Sequence, residues 1–512
     1  MKRIIHSITF IVFSIAILTM PACHDLLDEP AENRTFTEET DYTISDNIIL
    51  PLIGIYAQLY NRGWENHPLI AVRGDDVNHG GLGDQQDFAE TDFFNYNKDY
   101  WMYNAVWQGF YSDIFNVLSA IDEFQLYKDN GADAATADQY IAEAKVLEGW
   151  LLFQLSRVWG DILIPVSPDP SDLLVTEISS KEEVMQYISG RMDEAIPALP
   201  AIRPNQRTDV RGGVTRFTAL AIKALAQLEL ENYQAVADAT SQIIASGLFN
   251  LEPDFYNLFK IPGKLSNENL LEFQYSDFGL GSGDERSHLW AFYGPQSWTP
   301  AREGASAGWG FFEPSLKWIK FMLDRGERTR LETSVLFTNR GIAELRSDPN
   351  YATLPGWISN TTPSGDVIND FARGMFSSGK HYLPSEQLTP GRTDYGTNKN
   401  FPVIRYAEIL LMHAEALTRG AASTVMTADA AVNLVRERAG LSPVSGVTSE
   451  QVMNEKFAEL AMEWGIRYYD MIRLENYAEL NYNGRTFTAP EDLYLPYPQN
   501  QVDLLPVLRR EQ

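Results

Sequence analysis

Apolar residues return every three to four positions through most of this chain, and that periodicity constrains the fold more than any other feature. Between Phe401 and Leu417, Ile404, Ala407, Leu411, Ala414 and Leu417 fall on one face of a helix, as a 3.6-residue repeat requires. The same spacing predicts helices over Asp46–Tyr60, Tyr103–Tyr127, Ala135–Trp159, Lys181–Ala198 and Ser449–Arg473. Few segments alternate with the period of two that a half-buried strand shows. The expected class is mainly α, with few short strands.

From Val214 to Gly247 the pattern is sharper. A helix ends near Leu230, Glu231 and Asn232 make a turn, Tyr233 follows, and Ala235, Ala239 and Ile243 face inward on a second helix. Small alanines at the crossing and a bulky tyrosine after the turn resemble the tetratricopeptide helix pair. Phe401–Thr418 with Thr427–Ala439 forms a second candidate pair. Two such pairs predict a tetratricopeptide-like helical superstructure over residues 46–512, read as a single domain, rather than isolated hairpins.

Two stretches break the periodicity, near 61–103 and 248–400. Apart from Pro314–Leu323, the second is rich in Gly, Ser, Pro and aromatic residues, including Gly279–Gly283, Trp290, Tyr293, Trp298, Trp309 and Trp357. Long irregular segments within a packed protein are usually functional. Both are read as loop insertions mounted on the helical scaffold. Trp107, Trp150, Trp159, Trp318 and Trp464 lie on predicted helices and are assigned to the core. Trp64, Trp101, Trp290, Trp298, Trp309 and Trp357 lie in loop texture.

Cys23 is the single cysteine, so disulfides and cysteine-based zinc sites are excluded. Lys2 and Arg3, the mostly apolar run Ile4–Leu18, and Met20-Pro21-Ala22 precede it, which is the layout of a secretion signal over residues 1–22. A thiol at the cleavage point suits thioether lipidation. The arrangement resembles the lipobox of bacterial lipoproteins, with Met20 where leucine is more usual; the alternative is a cleaved signal followed by an incidental cysteine. Residues 23–45 would then form a lipidated tether. Later segments fall short of the roughly 20 apolar residues that span a bilayer. With 41 basic and 69 acidic residues the formal charge is −28, and no basic patch is visible, which argues against nucleic acid as a partner.

The chemistry-bearing motifs of nucleotide hydrolases, zinc proteases and serine hydrolases are missing, and the seven histidines are scattered. Asp129–Asp133 has the wrong ligand spacing for a calcium loop. No metal or cofactor is expected. Asp75, Asp76 and Asp113 can be imagined as a glycosidase pair, but carboxylates are too abundant here for proximity in sequence to carry information. Glu408, Glu415, Glu459, Glu463, Arg467, Asp470 and Arg473 read as ion pairs between helices.

Several segments, taken in order, resemble the SusD/RagB family of Bacteroidetes outer-membrane lipoproteins. They are Cys23–Pro30, Ala142–Leu147 leading to Trp159–Pro165, Arg216–Leu230 with Asn232-Tyr233, Asn267–Phe273, Arg405–Ala416, Val435–Arg438 and Glu459–Arg473. Two positions depart from the family pattern: Glu148 replaces an arginine, and the tail after Leu495–Asn500 lacks the family's usual ending. The resemblance implies a non-enzymatic, cell-surface lipoprotein anchored in the outer membrane through Cys23, with Asp25, Asp28 and Glu29 as an export signal. It further implies a partner, a SusC-like TonB-dependent transporter to which nutrient ligands are delivered. Most members bind glycans and some bind peptides. A flat indole matches the apolar face of a pyranose, so the expected ligand is an oligosaccharide or polysaccharide. A peptide binder of the same fold, a surface glycoside hydrolase and a protein-binding scaffold are the alternatives. Trp298 and Trp309 with Tyr293 are the expected stacking platform; Trp101 with Asp75 and Asp76 is the second choice.

Overall fold

The computed structural model describes residues 40–63, 66–81, 84–281, 287–392 and 395–509. Cys23, the signal segment, most of the tether and Trp64 lie outside the described residues. The scaffold is a run of helices: α1 (Ile49–Leu59), α2 (Trp101–Asp129), α3 (Ala134–Trp159), α4 (Lys181–Ala195), α5 (Arg216–Glu229), α6 (Tyr233–Ala245), α7 (Tyr406–Thr418), α8 (Ala428–Arg438), α9 (Ser449–Leu460) and α10 (Ile466–Arg473). From α2 to α8 each helix packs on its predecessor. That continuity includes α6 against α7, although residues 246–405 separate them in sequence. The protein is mainly α, in the helical superstructure that the periodicity predicts.

Local chemistry sets the helix ends. Asp133 caps α3 by accepting from Thr136 N at 2.8 Å, and Ser180 with Glu183 forms a reciprocal capping box at the start of α4. In the pair α5/α6, the buried alanines 219, 221, 224, 226, 237 and 239 let the backbones approach closely, and Glu231 makes the turn in the left-handed region at φ 54°. Glu148, where the family pattern has arginine, is buried on α3. It pairs with Arg191 at 2.5 Å and accepts from the Tyr187 hydroxyl at 2.7 Å, both from α4.

Two predicted helices are divided. Phe401–Arg405 is a strand, paired antiparallel with Asn269–Phe273, and α7 begins only at Tyr406. All five strand residues are buried, so its pattern of apolar residues does not distinguish strand from helix. The Ser449–Arg473 helix breaks between α9 and α10, where Met462, Trp464 and Gly465 take positive φ. There Lys380 Nζ donates to the Glu459 and Ala461 carbonyls at 2.8 and 2.9 Å, satisfying groups at the end of α9.

The two insertions carry more structure than their texture predicts. The first contains helices Asn66–Ala71 and Gln86–Asp92; the second contains Asn339–Ser347 in addition to a helix, Leu316–Asp324, where Pro314–Leu323 keeps the helical period. They are joined by an antiparallel pair, Val77–His79 with Phe312–Pro314, one of five two-stranded pairs among the described residues. Buried charges then tie the second insertion to the C-terminal helices. Arg405 bonds Glu463 at 2.7 Å, Glu268 at 2.6 Å and Glu459 at 3.0 Å. Glu459 also meets Arg330 at 3.3 Å and Arg438. Burial alone would raise the Glu459 pKa, but Arg438, Arg405 and Arg330 hold it down at about 2. Lys456 and Arg473 bracket Asp470 and Glu415 in a second cluster. Glu415, Glu459, Glu463, Arg467, Asp470 and Arg473 are therefore in structural ion pairs, whereas Glu408, expected among them, is buried outside these pairs and burial raises its pKa to about 7. The five tryptophans assigned to the core, Trp107, Trp150, Trp159, Trp318 and Trp464, are all buried.

Candidate functional site: a cleft between two tryptophans

Trp101 opens α2 on its outward face. Met102, Tyr103, Val106, Trp107 and Phe110 face the core, while positions 101, 105 and 108 turn to solvent with the helical period. The indole is 58% exposed, an unusual placement for so large an apolar surface.

Trp309 comes from the second insertion and is held by its neighbours' backbone. Gly308 N donates to Pro295 O at 2.9 Å, Trp309 N to Ala291 O at 2.6 Å, Gly310 N to Gly294 O at 2.9 Å and Phe311 N to Phe292 O at 2.9 Å. The flanking glycines are required. A Cβ on residue 308 would lie 2.5 Å from the Trp290 carbonyl oxygen, and Gly310 sits at φ 68°. The half-buried Trp309 ring packs edge-on against Phe292 and Tyr395, at centroid distances of 5.4 and 4.8 Å.

These two tryptophans line one open cleft of about 390 Å³. Phe88, Met102, Phe292 and Phe311 add apolar surface, and Gln85, Gln296 and Arg373 supply the polar groups. The strand pair between the insertions brings the two halves together. Beyond it, Gly80 N donates to Phe311 O at 2.5 Å and Gly81 N to Arg373 O at 3.1 Å, so the first insertion runs alongside both segments that line the cleft. Arg373 lies over the Phe311 ring at 4.7 Å and is bound in bidentate fashion by Asp84.

The other four expected site residues lie elsewhere. Trp298 is only 8% exposed and belongs to a separate apolar cluster with Trp290 and Tyr382, at centroid distances of 5.2 and 6.3 Å. Its ring has no open face to offer a sugar. Tyr293 is fully buried and stacked on His381 at 3.9 Å, and burial drives its hydroxyl pKa far up. Asp75 is buried against Arg467 at 2.7 Å and Lys317 at 2.6 Å. Burial would raise its pKa, but Arg467 and Lys317 outweigh that and keep it lowered. Asp76 accepts from Met462 N at 2.6 Å, and burial raises its pKa to about 6. Asp76 staples the first insertion to the turn between α9 and α10, and Asp75 ties it to Arg467 of α10 and to Lys317 of the second insertion; neither lines the cleft.

A larger cleft of about 460 Å³ lies by α9 and α10. Its cations are already engaged: Arg467 with Asp75, Lys317 with Asp75 and Glu479, and Arg419 with Glu415. Its Phe457 ring is covered by Arg467 at 4.0 Å. Among the described residues, no group of three or more His, Cys, Asp and Glu side chains is arranged to hold a metal ion, and no helix is long and apolar enough to cross a membrane.

Sequence reasoning missed Gln85, Gln296, Arg373 and the phenylalanines of the cleft. Loop texture singles out Trp101 and Trp309, and Gly308-Trp309-Gly310, a large ring between two residues that let backbones touch, is a further local signal in the sequence. Nothing in the sequence pairs that motif with Trp101, because the strands that bring them together are three residues long.

Comparison with known proteins agrees with this architecture. A family model described as "SusD family" matches residues 267–511, and one described as "Starch-binding associating with outer membrane" matches residues 46–230. Curated relatives include SusD-like protein P2 of Formosa agariphila, 25% identical with 96% of each chain covered. A SusD-like protein of Bacteroides ovatus is 23% identical, covering 99% of this chain and 98% of its own. Among solved structures, a laminarin-binding SusD-like protein superposes with a TM-score of 0.74 at 22% identity, covering 90% of this chain and 97% of its own. Surface glycan-binding protein A from Bacteroides thetaiotaomicron, in complex with laminarihexaose, gives 0.71 at 22% identity with the same coverage. These structures share the fold, and the two models and the relatives between them span most of the sequence. The chain belongs to the SusD/RagB family.

Proposed function

We propose that this protein is a non-enzymatic glycan binder of the outer-membrane surface, and that the cleft between Trp101 and Trp309 is its sugar site. The observation that carries the reading is the meeting of these two indoles, one at the start of α2 and the other far along the chain in the second insertion, in one open cleft. Aromatic surface suits the C–H face of a pyranose, and the side-chain amides of Gln85 and Gln296 can donate to and accept from hydroxyls. The glycan-binding relatives of the same fold support the choice of ligand class. Delivery to a TonB-dependent transporter and anchoring through an acylated Cys23 complete the proposal; they rest on the family and on the signal layout.

A glycan array probed with the soluble chain tests the binding reading, with reducing-sugar release measured on every ligand bound. Retention of at least one glycan class without release of reducing ends is expected. Release of reducing ends would make the protein a hydrolase, and no retention at all would remove the glycan reading. For the anchor, Cys23→Ala should free the protein from membranes in cell fractionation; retention in high salt contradicts acylation at that residue.

A further inference from the structure

Resting on the glycan reading of the cleft, we propose that it admits uncharged glycans and turns away chains bearing uronate or sulfate groups, with Asp84 as the residue that sets this choice. Arg373 is the one charged side chain among the described residues that line the cleft. An unengaged guanidinium there would be a natural partner for a carboxylate or sulfate, which it can bind through two parallel hydrogen bonds.

That fork is already filled. Arg373 Nη1 donates to Asp84 Oδ1 at 2.5 Å, and Nη2 donates to Oδ2. The Nε atom is buried and has no acceptor, so it is closed to a ligand arriving through the cleft. The flat of the guanidinium lies over Phe311 at 4.7 Å. Asp84 itself remains 45% exposed. An acidic glycan must therefore compete with an internal carboxylate whose effective concentration is on the order of millimolar or more. It must also leave that carboxylate beside the newly bound anion, like charge against like. The remaining polar side chains of the cleft, Gln85 and Gln296, are uncharged and suit hydroxyl groups. The formal charge of −28 adds a repulsive field, but at physiological salt it is screened beyond about 8 Å. Discrimination therefore falls to the local pair.

The test starts from an array holding neutral, uronate-bearing and sulfated glycans, which identifies a backbone the parent protein binds. Calorimetric titration then compares matched oligosaccharides differing only in charge; for a glucan this is laminarihexaose against its form oxidised to glucuronate at C6. The parent should bind the neutral member at least ten-fold more tightly. Asp84→Asn, which removes the negative charge and leaves the fork of Arg373 at most one acceptor, should shrink that ratio at least ten-fold, and adding Arg373→Gln should restore it, with thermal melts confirming that each variant folds. A parent that prefers the acidic member overturns the inference while leaving glycan binding intact. So does an Asp84→Asn variant with an unchanged ratio, or a double variant that still accepts the acidic member. If the folded parent retains no glycan of any class, the glycan reading fails and this inference falls with it.

Discussion

Six aromatic and acidic residues were legible in the sequence as ligand-site candidates, and their fates differ because sequence texture reports loop and not exposure. Trp101 and Trp309 reach the cleft, one on the solvent face of a helix and the other lifted by two glycines. Trp298 sits eleven residues before Trp309 in the same kind of texture, yet it is packed between Trp290 and Tyr382. Its strand partner, Ile368, lies far along the chain, so local composition does not reveal the burial. Trp298→Ala should therefore act on folding, destabilising the protein by about 3–5 kcal/mol as large buried aromatics do. Chemical denaturation checks this, and a variant as stable as the parent would mean that the insertion carries the ring loosely. Asp75 and Asp76 mislead for a related reason. Adjacent carboxylates in a glycine-rich loop look ligand-facing until Arg467 and Met462, nearly 400 residues away, are found against them.

At the level of elements, the helix pairs were readable because a period of 3.6 with alanines at the crossing has few other solutions. The two divided helices were not, since Phe401–Arg405 and Ala461–Gly465 keep apolar residues at the right positions while tertiary contacts set the backbone. Gly465 shows the constraint. It opens α10 at φ 66°, and a Cβ there would lie 2.5 Å from the Ile70 carbonyl oxygen, so the first insertion docks directly on the helix break. Gly465→Ala should cost about 1–3 kcal/mol from backbone strain alone, with the steric clash adding to it. Denaturant unfolding reads that cost. Unchanged stability would mean that the break re-forms in another geometry and that the docking of the insertion on α10 is not fixed by this glycine.

Across the whole molecule, burial has been extended to many carboxyls. Desolvation raises Glu272, Glu313 and Glu408 to about 7, and Asp113, like Asp76, to about 6. Each of these holds a proton in the folded state that the unfolded chain releases at its ordinary carboxyl pKa. Stability therefore falls as pH rises through the window from about 4.5 to 7. Glu459 and Asp470, held at about 2 by their cationic neighbours, act oppositely and lose their contribution only on acidification below the ordinary carboxyl range. Lys399, lowered to about 7 by burial, restores some stability above neutrality. The melting temperature should accordingly be higher at pH 5 than at pH 7, and a midpoint that rises steadily from pH 5 to 7 would show that these carboxyls are charged inside the fold. The same scaffold holds the two insertions against each other, which is what makes one cleft out of segments far apart in sequence.

The most direct test of that last point is calorimetric titration of the parent, Trp101→Ala and Trp309→Ala with a glycan selected on the array, alongside thermal melts. Fully burying one large apolar side chain contributes roughly 1.5–3 kcal/mol; on that scale each variant should bind about ten-fold more weakly, at about 1.4 kcal/mol per decade. Trp101→Ala, which removes a ring mostly in solvent, should do so with its melting temperature nearly unchanged. Parental affinity in both variants would contradict the account and move the glycan to another surface of the protein.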